Sequence, residues 1–397
     1  MNVKNRKKLV FILILIVLGV VLTFIPAVAA FADEGEDELS ESILSLLESL
    51  DLSALQAYLD ENSDSYLFNF GSTAEDIISY LINGYAGTDC GSYISEIMSV
   101  VFSDAISLIP VFAEVTAVAL LTAIFSGAEG SVIGKSTSKI VRLACYSLII
   151  LMLSAALIGV VEECVDCIKS LQKQMEIITP ILVTLTVLTG GTSSAAIYQP
   201  AALFLSEGAV EIISGFIFPA AIASAVLNFM SKINPQISFS GISKLLKSIM
   251  KFVIGVTVTV FSLFITVQSS ASSLLDGILF KTTKYVVSNS VPIVGGFISS
   301  GFDLLTAAGL LIKSSAGVCG IILLASEIAS PVILLTAFSV MLKITGAIAQ
   351  AAGDNELYSL MSDLSSDTEY FLAGLLTVAF MYVFTIMQII NSAVNFL

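Results

Sequence analysis

Glu207 and Glu211 are the carboxylates whose placement first suggests chemistry. They stand four apart in an apolar stretch, so a helix carries both on one face. Ionised carboxylates within lipid face a cavity or a partner, which makes the pair a candidate ion or proton site. The same pair also fits the outer water interface, if the chain leaves the bilayer near residue 207. Gln268 and Gln388, each inside an apolar run, suit hydrogen bonding between helices. Cys164-Val-Asp-Cys167 follows an apolar run and offers a disulfide on the outer side of a membrane. A lone CxxC lacks the second ligand pair that zinc needs, and a plain helix end is the simpler reading. The run from Gly127 to Ser136 ends like a phosphate-binding loop, but Glu129 stands where the first glycine belongs and a span precedes it in place of a strand. With no His in the chain, histidine nucleophile pairs, proton shuttles and metal sites are excluded. No cofactor and no catalytic residue is expected.

The elements that must position these groups are membrane helices. Hydrophobic residues make up 56% of the 397 and the mean hydropathy is +0.97, far above a soluble domain, so the expected fold is an all-α polytopic membrane protein. The acidic balance, 17 Lys+Arg against 32 Asp+Glu, argues against nucleic-acid partners, because phosphates need concentrated cations. Lys135, Lys139 and Arg142 precede the apolar run 143–161, and Lys232, Lys244, Lys247 and Lys251 follow the run 209–230, with no acid from 231 to 251. Both loops are expected in the cytoplasm. The stretch of about 177–207 would then enter and leave on the outer side, as a re-entrant hairpin turning near Gly190-Gly191. Breaks of this kind are tolerated where backbone is buried in protein or lines a cavity.

Residues 1–32 read as a cleavable signal: Lys4, Arg6, Lys7 and Lys8, then an apolar core, then Ala-x-Ala sites ending at Ala32; the core is also long enough to stay as an uncleaved anchor. Residues 33–105 read as an exported acidic helical segment, since 33–134 contains no Lys or Arg. Its amphipathic helices either cap their own membrane domain or dock an outer partner. Residues 106–397 form the transmembrane domain, with about seven spans. Residues 237–251 suit a basic helix lying on the inner leaflet. A second irregular hairpin is expected around Pro292-Ile-Val-Gly295-Gly296, then apolar runs to about 325 and over 328–344, an acidic loop from Asp354 to Glu369, and a last span over 370–392. An internal repeat is also visible: Pro219 and Lys232 match Pro331 and Lys343, and laying 257–272 on 377–392 pairs Thr257 with Thr377 and Gln268 with Gln388. The repeating units are about 135–232 and 244–343. Gly190, Gly191, Glu207, Glu211, Gln268, Gly295, Gly296 and Gln388 are the resulting candidates for a pore lining or helix interface.

Taken in order, the acidic exported segment, Thr179-Pro-Ile-Leu182, Thr189-Gly-Gly-Thr192, the run from Asn228 to Ile233, Lys281-Thr-Thr-Lys-Tyr285 and Pro292-Ile-Val-Gly-Gly296 resemble the stage III sporulation protein AE family. The resemblance implies a non-enzymatic, multi-pass protein of the mother-cell membrane that engulfs the forespore. Its implied partners are a secretion-type ATPase on the cytoplasmic side and ring-forming proteins, in a channel complex needed for forespore development. The family supplies no catalytic residues to carry over. The features of the chain leave a second class open, a self-sufficient secondary transporter, because repeats, broken helices and intramembrane carboxylates are common in carriers.

Overall fold

A computed structural model describes residues 36–61, 73–82, 106–127, 135–233, 239–290 and 295–392. Among them every regular element is helical. The signal expected over 1–32 lies outside the described residues. Three short helices come first: α1 Glu36–Ser49, α2 Ser53–Glu61 and α3 Ala74–Ile82. A capping box opens α3, with the Thr73 amide donating to Asp76 Oδ2 at 3.2 Å and the Asp76 amide to Thr73 Oγ1 at 3.1 Å. The long helices follow: α4 Ile109–Gly127, α5 Lys135–Leu188, α6 Thr192–Leu203, α7 Val210–Ile212, α8 Phe218–Ile233, α9 Ser240–Ser290, α10 Gly295–Ala351 and α11 Asn355–Asn391. Two π-helical stretches, Phe204–Ala209 and Ile213–Ile217, flank α7, so 192–233 is one helical path with widened turns.

Five described helices are long and apolar enough to cross a membrane: Ile140–Leu188, Glu207–Lys232, Ser240–Val267, Thr306–Ala351 and Asn355–Asn391, with a shorter apolar helix over Ile109–Thr122. The expected spans are more numerous because several breaks read from the sequence are continuous helix. The α5 helix runs unbroken through Glu162, Glu163 and Asp166, which are exposed, while Cys164, Ile168, Leu171 and Met175 on its other side are buried. At ~1.5 Å per residue its 54 residues reach well beyond a hydrocarbon layer of about 30 Å. Pro331 likewise sits inside α10, which fuses the two runs expected on either side of residue 326.

Four further expectations need correcting. Cys164 and Cys167 are buried, free thiols on the inward face of α5, and Cys167 Sγ donates to the Glu327 carbonyl at 3.5 Å. The disulfide that the pair offered is not formed, because this run is bundle core and not an outer loop. Residues 240–251 are the first turns of the 51-residue α9, packed on α8 and α11, and are no separate surface helix. The acidic loop is helix as well: Asp354 caps α11 by accepting from the Leu357 amide at 3.0 Å, and Leu357, Leu360, Met361 and Leu364 at helical spacing are all buried. Finally, the turn at Gly190 joins two long helical arms, α5 and the path 192–233, in place of the short insertion expected over 177–207. Gly190 has φ 87°, its amide donates to the Val187 carbonyl at 3.0 Å, and the Gly191 amide donates to the Thr186 carbonyl at 2.8 Å. That is a Schellman ending, which requires the left-handed conformation glycine adopts without strain.

The helices lie side by side around α11. Its most apolar window is 72% buried, against 22% to 50% for the other four. Antiparallel α10 packs along it, Gly317 admitting Ile390 where a Cβ would collide and Gly320 lying close against Ile386. On the far side of α10, Thr116 and Thr345 hydroxyls meet at 3.1 Å and Phe112 stands edge-on to Phe338, with ring centroids 5.3 Å apart. The short helices pack on this bundle along α10 and α5. Gln174 Nε2 donates to the Tyr58 hydroxyl at 2.8 Å, Lys173 pairs with Glu61, and burial pushes the Tyr58 phenol up to about 12.

Candidate functional site: a buried lysine and aspartate beneath a basic cleft

Three helices contribute polar groups four residues apart that meet inside the bundle. From α8 come the Ser224 and Asn228 side chains, from α9 Ser243 and Lys247, and from α11 the Asp367 carboxylate with the Asp363 backbone carbonyl. The i, i+4 spacing puts each pair on one helix face, and the three faces converge. Asp367 is wholly buried and Lys247 is 8% exposed. Asp367 Oδ1 accepts from Lys247 Nζ at 3.0 Å and from Ser224 Oγ at 2.6 Å, and Oδ2 accepts from Asn228 Nδ2 at 2.8 Å. Ser224 and Ser243 hydroxyls lie 2.8 Å apart, and Lys247 Nζ also donates to the Asp363 carbonyl at 3.1 Å. Burying two such charges costs several kcal/mol each. Only a network satisfied in this way offsets that cost.

Above the cluster lies a cleft of about 800 Å³, lined by Asn228, Lys232, Lys244, Lys247, Lys251 and several serines, with Glu356 and Asp363 on its α11 wall. Arg142 of α5 donates to Glu356 at 3.0 Å. One helical turn further along α5, the Tyr146 hydroxyl lies 2.6 and 2.7 Å from the two oxygens of Asp354. The two basic segments that the sequence assigns to the cytoplasm therefore meet at one end of the bundle. On α10, Ser339 meets Ser365 at 2.8 Å and Lys343 pairs with Glu369 at 3.1 Å.

The residues singled out from the sequence are dispersed. Glu207 and Glu211 are both exposed, Glu207 in the first π-helical stretch and Glu211 in α7, well separated in sequence and partners from the buried cluster. Gln388 is half-buried, and its backbone carbonyl accepts from the Tyr198 hydroxyl at 3.1 Å. Gln268 falls in α9, with its side chain outside the described residues. Gly190 and Gly191 form the turn described above. Gly295 and Gly296 begin α10, and the break before them, 291–294, lies outside the described residues. Lys313, expected near an interface, is fully buried and donates to Ser392 Oγ at 3.2 Å. The Lys247–Asp367 pair is absent from the sequence candidates, yet the register that lays Thr257 on Thr377 also lays Lys247 on Asp367.

Long apolar helices packed side by side, with polar groups such as the Lys247–Asp367 pair buried between them, define a polytopic, all-helical membrane protein. A family model described as Stage III sporulation protein AE matches residues 72–393. The chain belongs to that family. The Stage III sporulation protein AE of Bacillus subtilis (strain 168) is 25% identical over 257 residues, which is 65% of this chain and 64% of the relative. The matched stretch thus spans a little under two thirds of that curated relative's length. No solved structure matches.

Proposed function

We propose that the chain is a non-enzymatic membrane subunit of a channel or secretion-like complex that links mother cell and forespore and supports forespore development. The observation that carries this reading is the family match over 72–393, which takes in α3 and every long helix. On this reading the short helices face ring-forming partners outside the cytoplasm, and the basic end of the bundle faces a secretion-type ATPase. The membrane is the mother-cell membrane around the forespore. The test is affinity purification of a tagged full-length chain from sporulating cells. Stoichiometric recovery of an ATPase and extracytoplasmic ring proteins is expected. Recovery of the chain alone would overturn the proposal.

A second reading, a self-sufficient carrier, draws support from the buried Lys247–Asp367 pair beside a polar cleft and from the widened turns over 204–217. It predicts proton or ion uptake by the purified chain in vesicles, lost in Asp367→Asn. Vesicles that stay silent with the wild-type chain would remove it.

A further inference from the structure

The cleft does not end at its lysines. Its outer lip, Ser248 and Lys251, also begins a shallow, open groove of about 600 Å³, lined by α9 alone, that continues over Phe252, Gly255, Val256, Thr259 and Val260. Lys244, Ser248, Lys251, Gly255 and Thr259 recur at three- and four-residue steps, so a single stripe of α9 runs from cationic to apolar. Phe252 is 70% exposed and Val260 52%, and together with Val256 they make this the face α9 turns away from the bundle.

The charges around the cleft leave an excess of cations. Four lysines line it, Lys232, Lys244, Lys247 and Lys251, against Glu356 and Asp363. Arg142 engages Glu356, and Lys247 is matched by Asp367 beneath the floor. Lys244 and Lys251 are exposed, and among the described residues neither has an ion-pair partner. A free anion would need the cleft alone, and a neutral acyl chain the groove alone.

We propose that this joined cleft and groove is a binding site for one anionic glycerophospholipid. Its phosphate sits between Lys244 and Lys251, with Ser248 as a neutral donor, and one acyl chain follows Phe252, Gly255, Val256 and Val260. Basic pockets between helices at a membrane surface hold anionic headgroups by this chemistry. The apolar stripe fixes the direction in which the lipid lies.

The test is native mass spectrometry of the full chain in detergent, titrated with phosphatidylglycerol, with phosphatidylcholine of the same acyl chains, or with inorganic phosphate. Phosphatidylglycerol should be retained at least roughly tenfold more strongly than phosphatidylcholine, and phosphate should not compete. Lys244→Gln with Lys251→Gln should weaken phosphatidylglycerol binding by roughly tenfold to thirtyfold, the scale of two lysines at an anionic surface. Lys169→Gln, on exposed α5, should leave it unchanged. Gly255→Leu should block the groove without disturbing the fold, because a Cβ at Gly255 meets nothing within 4 Å. Unaltered far-ultraviolet circular dichroism would verify that each variant is folded. Equal retention of the two lipids, competition by phosphate, or an unchanged double-lysine variant would each overturn the proposal.

Discussion

Lys247 and Asp367 hold opposite charges out of water, so the first consequence of changing either is the orphaning of the other. Asp367→Asn should destabilise the folded chain by about 3–5 kcal/mol, because Lys247 is then left buried without a counter-ion. Lys247→Met should cost a similar amount. The paired change Lys247→Met with Asp367→Leu should recover most of that loss, since a buried ion pair replaced by apolar groups is often neutral or better. Thermal unfolding of the three variants in detergent, followed by circular dichroism, checks the cycle. An additive double variant would mean the pair is not coupled. Asp367 is hard to read from the sequence because Asp354, Glu356, Asp363 and Glu369 surround it and give the segment the polarity of a loop. Only the apolar spacing of Leu357, Leu360, Met361 and Leu364, behind a capping Asp354, tells otherwise. Glu207 and Glu211 are exposed, which fits the water-interface reading of the pair better than a buried ion site. Flanking hydrophobicity alone does not distinguish a core carboxylate from an exposed one.

At the scale of elements, the turns were the most legible feature and the continuity of helices the least. Gly190-Gly191 announces its break because two adjacent glycines have no favourable place inside a helix. Gly353 ends α10 by the same geometry, with φ 96°, its amide on the Gln350 carbonyl at 2.9 Å and the Asp354 amide on the Ala349 carbonyl at 2.9 Å. Gly353→Ala should lose about 1–2 kcal/mol, the cost of a left-handed conformation for a residue with a Cβ. A fall in the unfolding midpoint without change in helix content checks this. Proline and charge, by contrast, overstate breaks: Pro180, Pro200 and Pro331 all lie inside helices. In a packed bundle, neighbouring helices and side chains can accommodate the hydrogen bond a proline omits. Gly317 shows a role that no local pattern reveals. A side chain there would run into Ile390 and Ile386, so Gly317→Leu should part α10 from α11 and cost about 1–3 kcal/mol by overpacking. Increased reactivity of buried Cys319, two residues along, toward a thiol reagent would report the separation.

Across the whole molecule, the short helices and the bundle meet through few polar contacts, of which the Tyr58–Gln174 hydrogen bond is buried. Tyr58→Phe should weaken that seam by about 1 kcal/mol, the net worth of a typical intramolecular hydrogen bond. Faster proteolysis within 36–82, with the long helices left intact, would demonstrate it. The membrane character of the chain was plain from composition, but the seat of α11 was not, because hydropathy ranks helices by affinity for lipid and not by position among their neighbours. That position bears on how the protein is made. The helix at the centre of the bundle is made after every other described helix. Until residue 367 emerges, Lys247, Ser224 and Asn228 belong to helices already delivered to the bilayer and must wait there without the carboxylate that joins them. An intermediate lacking α11 would therefore leave Lys247, Ser224 and Asn228 without their shared acceptor. A nascent chain halted before Asn355 should accordingly be a preferred target of membrane quality-control proteases.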